Sequence, residues 1–161
     1  MSGASTDFVI APDGAFTAPL RLEYPYSRTV GPTYGRFFDG LLEDRVEGTV
    51  TASGHVFVPP VEFDPVTGEA LTAWVTVANE GEVISWSWQP KPYEGAPFDH
   101  PFAWALVKLD GASTAMLHGV DCSLDEMSTG MRVRVRWASE LTPGIGSIAC
   151  FEPVSTTGQG A

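Results

Sequence analysis

Histidines, cysteines and a run of alternating arginines are the side chains of this sequence that could carry chemistry. Imidazole titrates near neutral pH, so His55, His100 and His118 are each a candidate general base. They fall on separate stretches of chain. His100 sits between Asp99 and Pro101, where a solvated or capping role suits it, and His118 lies in a β-prone run, where a structural role does. Cys122 follows His118 at i+4; in an extended strand that pair is about 13 Å apart, too far for a base to activate a thiol unless the chain turns. Cys122 and Cys150 read as reduced thiols. There is no G-x-S-x-G elbow, no G-x-x-x-x-G-K phosphate loop, no G-x-G-x-x-G and no H-E-x-x-H. No catalytic residue is nominated, and an autonomous enzyme is not expected.

Two features rise above that background. In Met131–Trp137, Met131, Val133, Val135 and Trp137 alternate with Arg132, Arg134 and Arg136. A strand places such guanidinium groups about 6–7 Å apart along one face. They suit the phosphates of a coenzyme A or the carboxylates of a partner; the competing reading is a solvated strand face balanced by nearby acids. Arg132, Arg134 and Arg136 are the candidate ligand-binding residues. The second feature is the set Trp74, Trp86, Trp88, Trp104 and Trp137. Exposed aromatics beside basic residues stack on single-stranded nucleic acid, but these tryptophans fall mostly at inward positions and read better as core.

The elements that must position these residues belong to a chain of 161 residues, with 43% hydrophobic and 18% charged residues, enough for a core and of a size for one domain. Its formal net charge is −11 and its pI near 4.5, so nucleic acid and anionic membranes repel it. Neither is expected as a partner. No stretch approaches the roughly 20 apolar residues of a membrane span, and MSGASTDFVIAPDG lacks the basic start and apolar run of a secretory signal. A cytoplasmic location is expected. Two cysteines exclude a disulfide scaffold and a four-cysteine metal site.

Along the chain, residues 1–15 and 155–161 read as disordered tails. Tyr34, Phe37, Phe38, Leu41 and Leu42 recur at helical spacing, predicting an amphipathic helix over about Pro32 to Asp44. Its stripe docks either on its own domain or on a partner. Two short β-prone runs flank Ser53-Gly54 as a hairpin, and FDPVTGEAL carries another turn at Thr67-Gly68. From Leu71 onward the pattern is β. Ala73–Val77 is a strand followed by a turn at Asn79–Gly81. Val83–Gln89 alternates, with Ile84, Trp86 and Trp88 on one face. The run 102–109 (FAWALVKL) reads as a strand buried on both faces. Strands over 114–120, 131–137 and 148–154 complete the series. Some five strands in meander order with one connector fit a small closed barrel, the OB-fold, with a five-stranded sandwich as its rival.

Residues 34–153 resemble the family known as domain of unknown function thirty-five. The resemblance rests on the helix (RFFDGLLEDR), on GHVFVPP, on FDPVTGE, and on GEVISWSWQPKP, PFAWALVKLDG, LHGVD, GMRVRVRW and IACFEP in that order. It implies a mainly β chain: an N-terminal helix and rubredoxin-like zinc ribbon over residues 16–71, then an OB-fold over 72–154. One departure stands out. Where the ribbon would carry two C-x-x-C pairs, this sequence has Val50 and Ser53, then Asp64 and Thr67. Zinc needs thiolate or imidazole donors, so the ribbon is expected to be degenerate and metal-free, held by Val56, Phe57, Val58 and Phe63.

The resemblance further implies a non-catalytic accessory subunit of a thiolase-like or lipid-transfer-protein-type acyl-CoA enzyme, such as a steroid side-chain aldolase. A companion of a hot-dog-fold enoyl-CoA hydratase is one alternative; a single-stranded nucleic-acid-binding OB module and a lone enzyme or acyl-CoA binder are others. The chain alone is expected to hold no cofactor, with a coenzyme A thioester shared with the partner. Partner contact is assigned to Phe37, Phe38, Leu41 and Leu42 of the helix and to Val56, Phe57 and Val58. Arginine outnumbering lysine, with abundant Gly, Ala and Val, fits a GC-rich bacterial source.

Overall fold

The computed structural model describes residues 9–17, 24 and 29–154. Part of the expected N-terminal tail is ordered: β1 (Val9–Ile10) pairs antiparallel with β2 (Phe16–Thr17), around a turn in which Gly14 N donates to Ala11 O at 2.8 Å. The remaining tail residues, 1–8 and 155–161, lie outside the described residues.

Helix α1 (Gly31–Leu41) opens on Pro32, which suits a first helical turn because its missing N–H would have no partner there. It stops short of Asp44. Glu43 N and Arg45 N both donate to Gly40 O, and Asp44 takes a φ of 55°, which ends the helical ladder. Of the predicted stripe, Phe37 and Leu41 are fully buried, Phe38 and Leu42 half-buried, and Tyr34 exposed.

Strands β3 (Glu47–Val50), β4 (Val56–Phe57) and β5 (Trp74–Thr76) form a small sheet in the order β4-β3-β5. The Ser53-Gly54 turn joins β3 to β4, with Gly54 at a φ of 84°. Strand β5 pairs with β3 rather than with a barrel strand, so this small sheet includes a strand that follows residue 72.

The other strands are β6 (Glu80–Gln89), β7 (Phe102–Leu109), β8 (Met116–Val120), β9 (Arg132–Trp137) and β10 (Ile148–Pro153). They close a barrel in the cyclic order β6-β7-β8-β10-β9, antiparallel except for the β8–β10 pair. That order, with the first strand paired to both second and fourth and the third running parallel to the fifth, is the OB-fold. The expected turn at Asn79–Gly81 is instead the start of β6. Gly81 is required there: a Cβ would lie 2.3 Å from the Lys108 carbonyl oxygen.

Alternation in β6 is broken where the sequence pattern predicts it to continue. Val83 pairs with Val107 and Ser85 with Leu106, so Ile84 is a one-residue bulge. Val83, Trp86 and Trp88 therefore share the core face, while Ile84 is 40% exposed. Strand β7 is not covered on both faces. Ala103, Ala105, Val107 and Leu109 are buried, whereas Leu106 is 40% exposed and Trp104 points outward beside it.

Ribbon and barrel share one hydrophobic cluster, in which Phe37, Leu41, Val46, Val56 and Val58 pack with Val83, Val107, Val133 and Phe151. Polar bonds stitch the seam. Ser113 N donates to Val56 O at 2.8 Å and Val58 N to Thr114 Oγ1 at 2.8 Å, so the β7–β8 loop acts as a further partner for β4. The helix is fixed by Glu47, 7% exposed, which accepts from Arg36 Nε at 3.2 Å and Nη2 at 3.0 Å. Hydrogen bonds from Arg36 hold that carboxyl below the usual carboxylate range. The Arg36 guanidinium also lies over the Trp74 ring, 4.4 Å from its centroid.

Candidate functional site

The structure keeps the candidate bases apart. His55 is exposed and tilted against Phe57, with ring centroids 4.7 Å apart. His100 closes the loop between β6 and β7: Nδ1 lies 3.2 Å from Asp99 and Nε2 3.0 Å from Asp121. Hydrogen bonds to Asp121 and then Asp99 raise its pKa. His118 turns toward the core, edge-on to Phe151, and its Nδ1 is buried with no hydrogen-bond partner. Desolvation holds it below the ordinary imidazole value, so it stays neutral at pH 7. Cys122 Sγ donates to Met127 Sδ at 3.5 Å. Burial pushes both Cys122 and Cys150 up to about 11, which suits packing and not nucleophilic attack.

The arginines lie on the outer face of β9 as expected, and each is neutralised by this chain's own acids. Arg132 Nη1 donates to Asp110 Oδ1 at 2.8 Å, and its Nη2 pairs with the same carboxylate. Arg134 Nε donates to Glu152 Oε1 at 2.9 Å. Arg136 reaches Asp121 Oδ2 at 2.7 Å and Glu152 Oε2 at 3.4 Å. The open cleft beside them, about 360 Å³, is lined by Arg134 and Arg136 but also by Asp121, Glu126 and Glu152. Its carboxylates outnumber its guanidiniums. A phosphate entering it would have to displace Glu152 and Asp121, so the ladder is not a free anion grip.

The helix and β4 residues assigned to partner contact are mostly spent inside the chain. Phe37, Leu41, Val56 and Val58 are at most 8% exposed, and Phe38, Leu42 and Phe57 are half-buried. The physical reason is the shared cluster above: the helix stripe docks on its own ribbon and barrel.

Val50, Ser53, Asp64 and Thr67, where the resemblance puts zinc ligands, do come together around one cleft of about 380 Å³. Their chemistry does not fit zinc. Asp64 is the only strong donor, and its Oδ1 already accepts from Val66 N at 2.8 Å and Thr67 N at 3.4 Å. Across from it, Thr51 Oγ1 accepts from His55 N at 3.0 Å and contacts Ser53 Oγ at 2.8 Å. Each knuckle is thus closed by side-chain-to-backbone hydrogen bonds, as in Asx- and Ser/Thr-turns. Among the described residues no group of three or more His, Cys, Asp and Glu is placed to hold a metal ion.

What the sequence reading missed is the outer face of β6, β7 and β8. Leu106 pairs directly with Leu117, which is 63% exposed, and Ser85 and Ser87 pair with Leu106 and Trp104. Together they line a shallow depression of about 190 Å³. The β6–β7 loop covers only one end of this face: Phe98 packs on Phe102 with centroids 5.0 Å apart and against Gly119, where a Cβ would come 3.0 Å from the Phe98 ring. The signal was present in FAWALVKL, whose continuous apolarity means that both faces of a strand are sticky, whether or not the chain itself covers both.

The described residues thus form an OB barrel with a helix and a small three-stranded sheet beside it. Within it, residues 74–138 match the family model of the ChsH2 C-terminal OB-fold domain. Two solved structures are similar. One is a protein of unknown function from the DUF35 family of Sulfolobus solfataricus, at 19% identity and TM-score 0.60, covering 78% of this chain and 85% of that one. The other is the Ltp2-ChsH2(DUF35) aldolase, at 22% identity and TM-score 0.59, covering 79% of this chain and 98% of that one. None of the curated proteins matches the sequence. Residues 74–138 are thus similar to the ChsH2 C-terminal OB-fold domain, and the chain shares its fold with structures from the DUF35 family. No helix among the described residues is long and apolar enough to cross a membrane.

Proposed function

We propose that this chain is a non-catalytic accessory subunit in lipid degradation, docking on a thiolase-like or lipid-transfer-protein-type acyl-CoA enzyme and helping to form its thioester site. The observation that carries the reading is the match of residues 74–138 to the ChsH2 C-terminal OB-fold domain. The similarity to the DUF35 chain of an Ltp2-ChsH2 aldolase supports it. So does the local chemistry: both thiols are held protonated, His118 is walled into the core, and the arginines are engaged by carboxylates. A nucleic-acid module fits poorly. With a net charge of −11 and Arg36, Arg45, Arg132, Arg134 and Arg136 all in ion pairs, little positive surface is left to follow a phosphate backbone.

The test is co-purification from the source cell of the tagged chain with a protein identified as thiolase-like, followed by an acyl-CoA turnover assay on each component and on the complex. Turnover that requires the catalytic partner and rises when this chain is added is expected. Turnover of a thioester by this chain alone, or its recovery as a companion-free monomer, overturns the reading.

A further inference from the structure

The barrel presents two unlike outer sides. On β9 and β10 every arginine is paired with a carboxylate. Such a side is content in water, and covering it means stripping water from charges already satisfied. On β6, β7 and β8 the outward residues are Ser85, Ser87, Trp104, Leu106 and Leu117, flanked by the bulged Ile84. These positions come from three neighbouring strands in register, so the apolar groups are contiguous and not scattered, which is the pattern of an interaction surface. Their backbones are fully paired in the closed barrel, so the side chains are held on a rigid platform.

Charge selects the occupant. Of the seven lysines and arginines among the described residues, five are in ion pairs with this chain's own acids. Lys108 faces Glu82 across the β6–β7 pair at one end of the apolar face, and Lys91, Glu94, Asp99 and His100 stand in the loop at the other. Carboxylates outnumber lysines there by three to two, and the chain as a whole carries −11. A second copy would bring the same field against itself. We propose that the outer face of β6, β7 and β8, centred on Trp104, Leu106 and Leu117, docks a different protein whose contact patch is apolar at its centre and rich in lysine or arginine at its rim. This deepens the accessory-subunit reading and rests on it: the partner is the catalytic subunit.

The experiment uses the full chain, wild type, Leu117→Asp and Leu106→Asp, with Arg134→Ala as a control on the opposite side. The thiolase-like protein identified by co-purification is produced separately and titrated against each by calorimetry at 50 and 300 mM salt. Leu117 is 63% exposed, so its substitution should leave the melting temperature within about 2 °C. A central apolar anchor turned to a carboxylate should weaken binding by about 30-fold or more. Arg134→Ala should bind like wild type, and salt should weaken the wild-type complex through its slower association. Should wild type bind and both aspartate variants bind equally well, the face is not the docking site, although the accessory reading stands. Should wild type bind no such protein, the accessory reading fails and takes this proposal with it. Should wild type form a dimer by light scattering that Leu117→Asp abolishes, the occupant is a second copy and the proposal is overturned.

Discussion

Leu41→Ala separates two roles for the helix. Its stripe was expected to reach a partner, whereas Leu41 is 0% exposed and packs in the cluster that includes Phe37, Val46 and Val58. Truncating a leucine at such a site removes the transfer energy of its lost carbons and leaves a cavity that the ribbon closes only partly, because β4 is pinned to the barrel through Ser113 and Thr114. The combined loss is about 3 kcal/mol. With a urea slope of about 2 kcal/mol/M for a domain of this size, the unfolding midpoint should fall by about 1.5 M. The melting temperature should drop by about 6–12 °C. Tyr34→Ala, at a 39% exposed position on the same helix, should change stability by less than about 0.5 kcal/mol. Urea unfolding followed by tryptophan fluorescence measures both. A Leu41→Ala midpoint within about 0.5 M of wild type, together with a large loss of partner affinity, would refute the intramolecular docking and restore the helix as an arm.

Three further outcomes follow from the geometry. Gly81→Ala should destabilise by more than about 2 kcal/mol or prevent folding, since its Cβ meets backbone atoms of Lys108 and Leu109 that cannot rotate away; urea unfolding or soluble yield reads it. The histidines should give opposite pH trends. His118 titrates below its ordinary value in the fold because of desolvation, so its site carries no protonation penalty above about pH 6.5 and destabilises progressively as pH falls below it; His118→Leu should therefore gain on wild type more at pH 5 than at pH 8. His100 titrates above its ordinary value because of Asp121 and Asp99, so its contribution is full below about pH 6.5 and fades as pH rises through the folded value; His100→Asn should trail wild type at pH 5.5 and converge with it at high pH. With both thiols near 11, Cys122 and Cys150 should react with a disulfide reagent at pH 8 about a hundredfold more slowly in the folded chain than in denaturant.

Much of the fold was legible because it is written in local period. The alternation Val133, Val135, Trp137 is a strand whatever its neighbours do, and the spacing Tyr34, Phe37, Phe38, Leu41 is a helix. The parts that were not legible depend on partners distant in sequence. The bulge at Ile84 appears only in the register of β6 against β7; within β6 alone the pattern I-S-W-S-W continues without a break. The helix stripe says that Phe37 and Leu41 need cover, but not that Val46, Val56 and Val58 supply it. The arginine ladder says that three cations share a face, but its anions lie 22, 18 and 15 residues away at Asp110, Glu152 and Asp121. The resemblance pointed to Val50, Ser53, Asp64 and Thr67, which line one cleft, but the Asx-turn at Asp64 and the hydroxyl bonds at Thr51 are visible only in the coordinates.

The hydrogen bonds that close these two turns also bear on where a partner would bind. Zinc knuckles are stiff because the metal fixes every ligand at once. Here the second knuckle is held by the bonds to Asp64 Oδ1 and by the Phe63–Ala70 bridge, with Phe63 and Val66 exposed at its edge. Ordering such a tip against a partner carries an entropy cost of about 1–2 kcal/mol for each residue newly fixed. The β6–β8 face carries no comparable cost, because its strands are already locked in the closed barrel, and each 100 Å² of apolar surface it buries is worth about 2.5 kcal/mol. On the proposed docking, the contact of a partner therefore gains most on the barrel side. A Phe63→Ser substitution should then speed dissociation only modestly relative to Leu117→Asp, and the reverse ranking in a dissociation-rate measurement would move the primary contact to the second turn.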